Sequence, residues 1–185
     1  MVKKEIESAI LEFINSPMNT LKNADNEPAW GTPLVGYSSG ADPLYEFYKR
    51  EIGEFHTKPV EFFAGQEVEP SDLTVVSWVL PQTEVTKADH RAETHFPSER
   101  WARSRTFGEE VNDDLRRHVV GALANMGIKS VAPAISPEFK TVRDSRHVFA
   151  SSWSERHAAY ASGLGTFGLS DGLITPVGKA IRVGS

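Results

Sequence analysis

Apolar residues recur at helical spacing in the first third of the chain and predict two helices. The first spans about residues 3–15 and is ended by Pro17; its apolar positions are Ile6, Ile10, Phe13 and Ile14. Asp42 before Pro43 is typical of a helix start and predicts a second helix to about Gly53. The apolar stripe of that second helix consists of Leu44, Phe47, Tyr48 and Ile52.

Two apolar runs predict strands. Leu73–Leu80 is rich in β-branched residues and closed by Pro81, as expected for a strand covered on both faces. Ile128–Ile135, after a helix-ending Gly127, predicts a second buried strand.

The remaining segments divide into loops and helices. Residues 18–40 are rich in proline and glycine and predict an ordered loop, and residues 83–97 are polar without a period. Ser98–Met126 has helical periodicity, with Gly108 expected to divide it into two helices. Helices between strands indicate an α+β (or α/β) fold, with one mixed sheet flanked by helices in a single domain of 185 residues.

Composition excludes several classes of function. The chain has 20 Lys and Arg against 25 Asp and Glu, a net charge of −5, which disfavours duplex nucleic acid as a partner. No apolar run approaches the length of a membrane helix and the start does not resemble a signal peptide, so no membrane is expected and the location predicted is cytoplasmic. Because cysteine is absent, the chain cannot hold a thiolate-ligated iron–sulfur cluster.

A helix and a glycine-rich loop near the end of the chain carry most of the chemical information. Ser152 and Glu155 form a capping-box pattern, and the predicted helix runs to Gly163. Residues 163–172 then contain four glycines, which suits a loop that contacts a flat or anionic ligand. The alternative is that they only cap the helix and turn the chain toward a strand at residues 173–175. Their order after a helix disfavours a Rossmann cofactor, and no phosphate-loop lysine follows them.

The run from Trp153 to Gly168, continuing into Leu173–Thr175, resembles the helix–loop–strand signature of epoxyqueuosine-reductase-like proteins and reductive dehalogenases. Weaker similarity covers most of the chain. The resemblance implies a nitroreductase-like domain that binds cobalamin, followed by a ferredoxin-like domain with two 4Fe–4S clusters. This chain would then be the cobalamin-binding portion, truncated before the cluster domain and holding no cluster itself.

The signature supplies the candidate site residues, with no metal ligand among them. Tyr160 and His157 lie one helical turn apart and could donate a proton to a reduced substrate; the alternative is that both serve core packing. Candidate cofactor contacts are Ser154, Gly163, Gly165, Thr166, Phe167, Gly168, Ser170, Thr175 and Arg182. The position of the family's acidic proton donor falls at or beside Phe149, so the substrate stays open.

Two further groups are interpreted as structural. Asp89, His90, Glu93 and His95 are interpreted as a solvated loop rather than a metal site, and the arginines at 116 and 117 as surface partners of nearby carboxylates. The predicted function is the corrinoid-binding portion of a cytoplasmic iron–sulfur oxidoreductase, with a small-molecule cofactor and substrate and an electron-donor protein as partners. The alternatives are a non-catalytic ligand- or partner-binding module and a flavin-binding nitroreductase-like domain.

Overall fold

The computed structural model describes residues 2–143 and 148–185. Within them lie five α-helices, three 3-10 helices and seven strands. The helices are α1 (Val2–Ile14), α2 (Pro43–Ile52), α3 (Glu84–Ala92), α4 (Glu99–Asn125) and α5 (Glu155–Ala161). The strands are β1 (Leu34–Ser39), β2 (Thr74–Pro81), β3 (Thr141–Val142), β4 (Ala150–Ser151), β5 (Thr166–Phe167), β6 (Leu173–Ile174) and β7 (Ile181–Gly184). The 3-10 helices are Pro59–Phe63, Pro70–Asp72 and Pro133–Ile135.

The central sheet has three strands in the order β1–β2–β7, and β2 pairs with both neighbours in antiparallel register. The short pairs β3–β4 and β5–β6 are also antiparallel. The α+β class is therefore confirmed. The prediction of a mixed sheet is wrong for the described residues, because all the named strand pairs there are antiparallel.

Helices cover both faces of the central sheet, because successive side chains of β2 point to opposite faces and pack against different helices. Trp78 and Leu80 face one side and join the core formed with α1 and α4. Val79 points the other way and packs with Ala159 of α5 and Val183 of β7. This burial on both faces accounts for the almost continuous apolar sequence of β2.

Several predicted elements are confirmed. The first helix and the central strand lie where expected, and Asp42 caps α2 by accepting a hydrogen bond from the amide of Leu44 at 2.9 Å. Gly127 follows α4 with a φ of +73°, and the amide of Ile128 donates to the carbonyl of Leu123 at 2.9 Å. This pattern is the expected helix C-terminus.

Gly108 does not divide the long helix: α4 is one continuous helix of 27 residues that includes this glycine. The glycine leaves room for a neighbour instead: a Cβ there would lie 2.6 Å from Cζ2 of Trp30. Trp30 Nε1 also donates to the carbonyl of Gly108 at 3.0 Å. The glycine therefore marks a close contact, and the helical bonds on either side of it are sufficient to continue the helix.

Three other segments differ from the prediction. The expected loop 18–40 contains β1, which owes its stability to pairing with β2 rather than to its own composition. The polar segment 83–97 contains α3, capped by Thr83 through the amide of Thr86. Ile128–Ile135 is not a strand, because Pro133 cannot donate a ladder hydrogen bond and begins a 3-10 turn.

Candidate functional site

The N-cap of helix α5 lies two residues later than the sequence predicts. Ser154 is the N-cap, and its hydroxyl accepts from the amide of His157. The Ser152 cap is therefore wrong: Ser152 is buried, and its hydroxyl accepts from the amide of Lys140 at 2.9 Å. Glu155 is not free to complete a capping box, because its carboxylate binds Arg116.

A groove of about 620 Å³ lies between α2, α5 and β5, and we call it the α2–α5 groove. It brings together four of the predicted site residues, namely His157, Tyr160, Thr166 and Phe167. The ring of Phe167 lies 4.8 Å from the ring of His157 and 5.6 Å from that of Tyr160, centroid to centroid. Tyr48 of α2 closes the opposite side, with its ring 4.7 Å from His157. The arrangement suits a flat ring system.

His157 is held in one orientation inside this groove. Its Nδ1 lies 2.7 Å from the hydroxyl of Ser154, and Tyr48 donates to its backbone carbonyl at 3.2 Å. Burial lowers the pKa of the imidazole, and the charge of neighbouring Arg156 lowers it further. His157 is therefore neutral at neutral pH, and its Nε2 is the nitrogen left to accept or donate a hydrogen bond to a ligand.

The glycine-rich loop forms the β5–β6 hairpin. Gly163 follows α5 with a φ of +74°, and a Cβ on Gly165 would collide with the carbonyl oxygen of Ile174. A Cβ on Gly168 would lie 2.9 Å from Cδ1 of Ile174. Close packing against Ile174 accounts for Gly165 and Gly168, and the positive φ accounts for Gly163.

The other predicted cofactor contacts lie away from the groove. Ser170 accepts from Lys179 Nζ at 3.0 Å, and the buried hydroxyl of Thr175 donates to the carbonyl of Gly178 at 2.7 Å. Arg182 points to the α4 side of the sheet, where its Nε lies 2.8 Å from Glu109 Oε2 without being aimed at it as a hydrogen bond. The structure does not bring these three residues together with Tyr160 and His157.

These positions test how well the residues fit a corrinoid. A corrinoid presents a flat macrocycle surrounded by amide side groups, so it needs an aromatic or apolar wall and several free polar partners. The groove supplies the wall. The hydroxyls of Ser154, Ser170 and Thr175 already have partners within the chain. The described residues fit the edge of a flat ring, and they do not fit the full set of contacts along the loop.

The sequence predicts Arg116 at the surface, and this prediction is wrong. Its side chain is 1 % exposed and forms three hydrogen bonds of 2.7–3.0 Å with the Glu155 carboxylate. Its other terminal nitrogen binds Asp113 and Glu109. Arg117, by contrast, is an exposed partner of Asp114, as expected. Helix periodicity alone gave no sign that one arginine of the pair turns inward.

His56 has no signal in the sequence that marks it as part of this region. Its side chain is buried among the rings of Tyr48, Trp153 and His157, and within the described ranges neither ring nitrogen has a hydrogen-bond partner. Burial lowers the pKa of His56 to about 4, with further contributions from His157 and Lys49. It stands behind the groove as a neutral ring in the core.

Phe149 and the polar residues of α3 show no site of their own. Phe149, at the position of the family's proton donor, is exposed and lies under the guanidinium of Arg143 at 5.9 Å. His90 stacks on Trp101 at 5.0 Å, and Asp89 pairs with Arg100 at 3.5 Å. Residues 2–143 and 148–185 contain no group of three potential metal ligands and no helix able to span a membrane.

Comparison with protein-family models, with curated proteins and with solved structures gave no match. The geometry of the groove and the signature residues that line it are the remaining indications of function.

Proposed function

We propose that this chain binds the edge of a flat conjugated ring in the α2–α5 groove, as the cofactor-binding part of an oxidoreductase resembling epoxyqueuosine reductase. One observation carries the proposal: His157, Tyr160 and Phe167, which belong to the signature helix and loop, line the same groove as Tyr48. The resemblance implies a corrinoid, and a flavin has the same ring chemistry. The shared ligand class is a planar conjugated cofactor.

The groove residues have complementary roles in this proposal. Phe167 and the exposed ring of Phe47 offer aromatic surface for stacking against a ring, and buried Tyr48 supports the wall between them. His157 offers Nε2 as a neutral hydrogen-bonding group, and the hydroxyl of Tyr160 can donate a proton to a substrate held beside the ring. The chain contains no cysteine, so electrons would come from a cluster held outside these residues or from an electron-donor protein.

A non-catalytic ligand-binding module is the second candidate. The observation that favours it is the internal bonding of Ser170 and Thr175, which leaves few polar groups to grip a large cofactor. The visible spectrum separates the two candidates. After incubation with cofactor and removal of the unbound part, the oxidoreductase portion predicts the absorption of a bound corrinoid or flavin, and the module predicts a protein without it.

The direct test is titration of the purified chain with hydroxocobalamin and, separately, with flavin mononucleotide. A shift of the ligand's visible spectrum and quenching of tryptophan fluorescence should both saturate for one of the two. Phe167→Ala should weaken that binding about tenfold through loss of stacking. Leu169→Ala is the matched control, because Leu169 lies on the same hairpin with its side chain fully exposed. No saturable binding of either ligand, or equal effects of the two variants, would overturn the proposal.

A further inference from the structure

A second cavity, which we call the α1–α4 cavity, lies between the α1–α4 layer and the central sheet. Its volume is about 430 Å³, within the range of small-molecule sites. Most of its wall is apolar and comes from both layers, with Ile6 of α1, Val119 and Leu123 of α4, and Val76 and Trp78 of β2. No predicted site residue lines it, so the cavity is separate from the α2–α5 groove.

The cavity persists because two loops, rather than a further strand, complete its wall. The segment after α4 runs past it as an irregular stretch that ends in the turn at Pro133–Ile135, and the turn at Pro59–Phe63 adds Phe62 and Phe63. Their side chains cover the sheet only in part. Part of the apolar wall therefore faces open space, and a ligand with an apolar body would remove this surface from water.

The polar groups at this cavity favour an anion. Lys3 and Lys129 both line it, and across the described part of the chain neither forms an ion pair with a carboxylate. Lys3 Nζ lies 4.6 Å from the ring centroid of Tyr37, and Lys129 Nζ donates only to the neutral amide oxygen of Gln66 at 3.2 Å. Both ammonium groups are therefore available to a negatively charged ligand.

Two further features point the same way. Val2 and Lys3 place the first turn of α1 at the cavity, where the free backbone N–H groups and the helix dipole favour negative charge. The hydroxyl of Ser130 is buried at the lining and has no partner among the described residues. An anionic head group could accept a hydrogen bond from it.

Two other charged groups lie at the lining. Arg116 is held by Glu155, Asp113 and Glu109, whose carboxylates outnumber its single positive charge, so it is not available to a ligand. Asp72 accepts a hydrogen bond from the amide of Glu69 at 3.2 Å and is the lining carboxylate that opposes an anion. Lys3 and Lys129 are therefore the lining cations that the described carboxylates leave unpaired, and they direct an anionic head group to themselves rather than to Arg116 or Asp72.

We infer that the α1–α4 cavity binds a single-chain aliphatic carboxylate, with the chain against the apolar wall and the carboxylate at Lys3 and Lys129. The apolar body contributes affinity through burial, and the ammonium groups select the charge of the head group. This site is independent of the ring-binding groove and does not need a cofactor to be present.

The experiment uses three probes with the same chain, dodecanoate, dodecanol and dodecyltrimethylammonium, each below its micelle concentration. Binding is followed by tryptophan fluorescence, because Trp78 and Trp153 line the cavity, and by calorimetry. Dodecanoate should bind in a saturable manner, about fivefold or more tighter than dodecanol. Equal binding of dodecanoate and dodecyltrimethylammonium, or no saturation, would overturn the inference.

Variants separate the head group from the apolar wall. Lys129→Gln and Lys3→Gln should reduce the preference for dodecanoate over dodecanol, and Val120→Trp should fill the cavity and weaken both ligands. Since Val120→Trp could disturb folding, Val131→Asp provides a second test at an exposed lining position, where a carboxylate should weaken dodecanoate alone. The matched control is Val85→Asp on α3, an exposed valine outside the cavity. Identical dodecanoate affinity in Val131→Asp and Val85→Asp would contradict the inference.

Discussion

Replacing Arg116 by methionine should destabilise the chain far more than the same change at Arg117. The Arg116 side chain is 1 % exposed and binds Glu155, Asp113 and Glu109, whereas the Arg117 side chain is 60 % exposed and pairs with Asp114 alone. The two arginines are neighbours on one helix, so helix propensity and chain length are matched between the variants.

The magnitude follows from what each change leaves behind. Without Arg116, three carboxylates face one another, and Glu155 keeps the backbone amide of Ser185 at 3.1 Å as a remaining donor. Removing one partner from a buried ion pair costs about 3–5 kcal/mol of unfolding free energy. An exposed pair such as that of Arg117 contributes about 0–1 kcal/mol.

The position of this cluster explains why it matters. Helices α4 and α5 lie on opposite faces of the central sheet, and both contact β7 at its edge. The Arg116–Glu155 contact joins the two helical layers around that edge, and Ser185 follows directly from β7. Loss of the contact should therefore loosen the packing of α5, and with it the α2–α5 groove.

A double-mutant cycle measures the contact itself. Glu155→Gln should cost less than Arg116→Met, because Arg116 keeps Asp113 and Glu109 as partners. The double variant Arg116→Met, Glu155→Gln completes the cycle and should recover much of the loss, since the Glu155 carboxylate is then no longer left without its buried partner. Urea unfolding followed by circular dichroism and tryptophan fluorescence gives each free energy. If the Arg116 and Arg117 variants differed by less than about 0.5 kcal/mol, the buried ion pair would have no special role.

The remaining predictions concern stability at three other places. The unfolding free energy should fall by about 3 kcal/mol as the pH decreases from 6.5 toward 4, because His56 binds a proton in the unfolded chain but stays neutral in the folded one. In a pH series of urea unfolding, His56→Phe should reduce this dependence. Gly108→Ala should lower the melting temperature through the clash with Trp30, whereas Gly121→Ala, at an open position of α4, should raise it by the equivalent of about 0.5–1 kcal/mol. Ser154→Ala should cost about 1 kcal/mol in urea unfolding through loss of the α5 cap, and no change would place the helix start elsewhere.

Local signals in the sequence are sufficient to predict an element that is stabilised by neighbouring residues, or whose side chains are buried on every face. The Asp42–Pro43 start of α2 is a capping interaction between residues two apart, and β2 is apolar throughout because both of its faces are covered. Strand β1 lacks such a signal. It owes its form to the register with β2, about 40 residues away, which no local window contains.

The charged and polar residues show the same limit. Arg116 and Arg117 have identical side chains at adjacent positions, and only the distant Glu155 decides which of them is buried. Ser152 and Ser154 both precede α5, but the hydroxyl of Ser152 accepts a hydrogen bond from the amide of Lys140 and therefore does not cap the helix. In both cases a residue distant in the sequence, Glu155 for Arg116 and Lys140 for Ser152, determines the position of the side chain.

The apolar stripe of α2 shows how a correct pattern can have an unexpected meaning. Leu44, Phe47, Tyr48 and Ile52 do share one face of the helix, and all four line the α2–α5 groove. Tyr45, outside the stripe, is the α2 residue that packs most deeply, stacked on Trp153 at 6.0 Å. Phe47 remains largely exposed. Periodicity reports that a helix has an apolar face without stating what covers it. Tyr48 is buried in the core formed with Tyr45 and Trp153, and Leu44 and Ile52 pack against that core, so Phe47 is the member of the stripe that stays open at the groove.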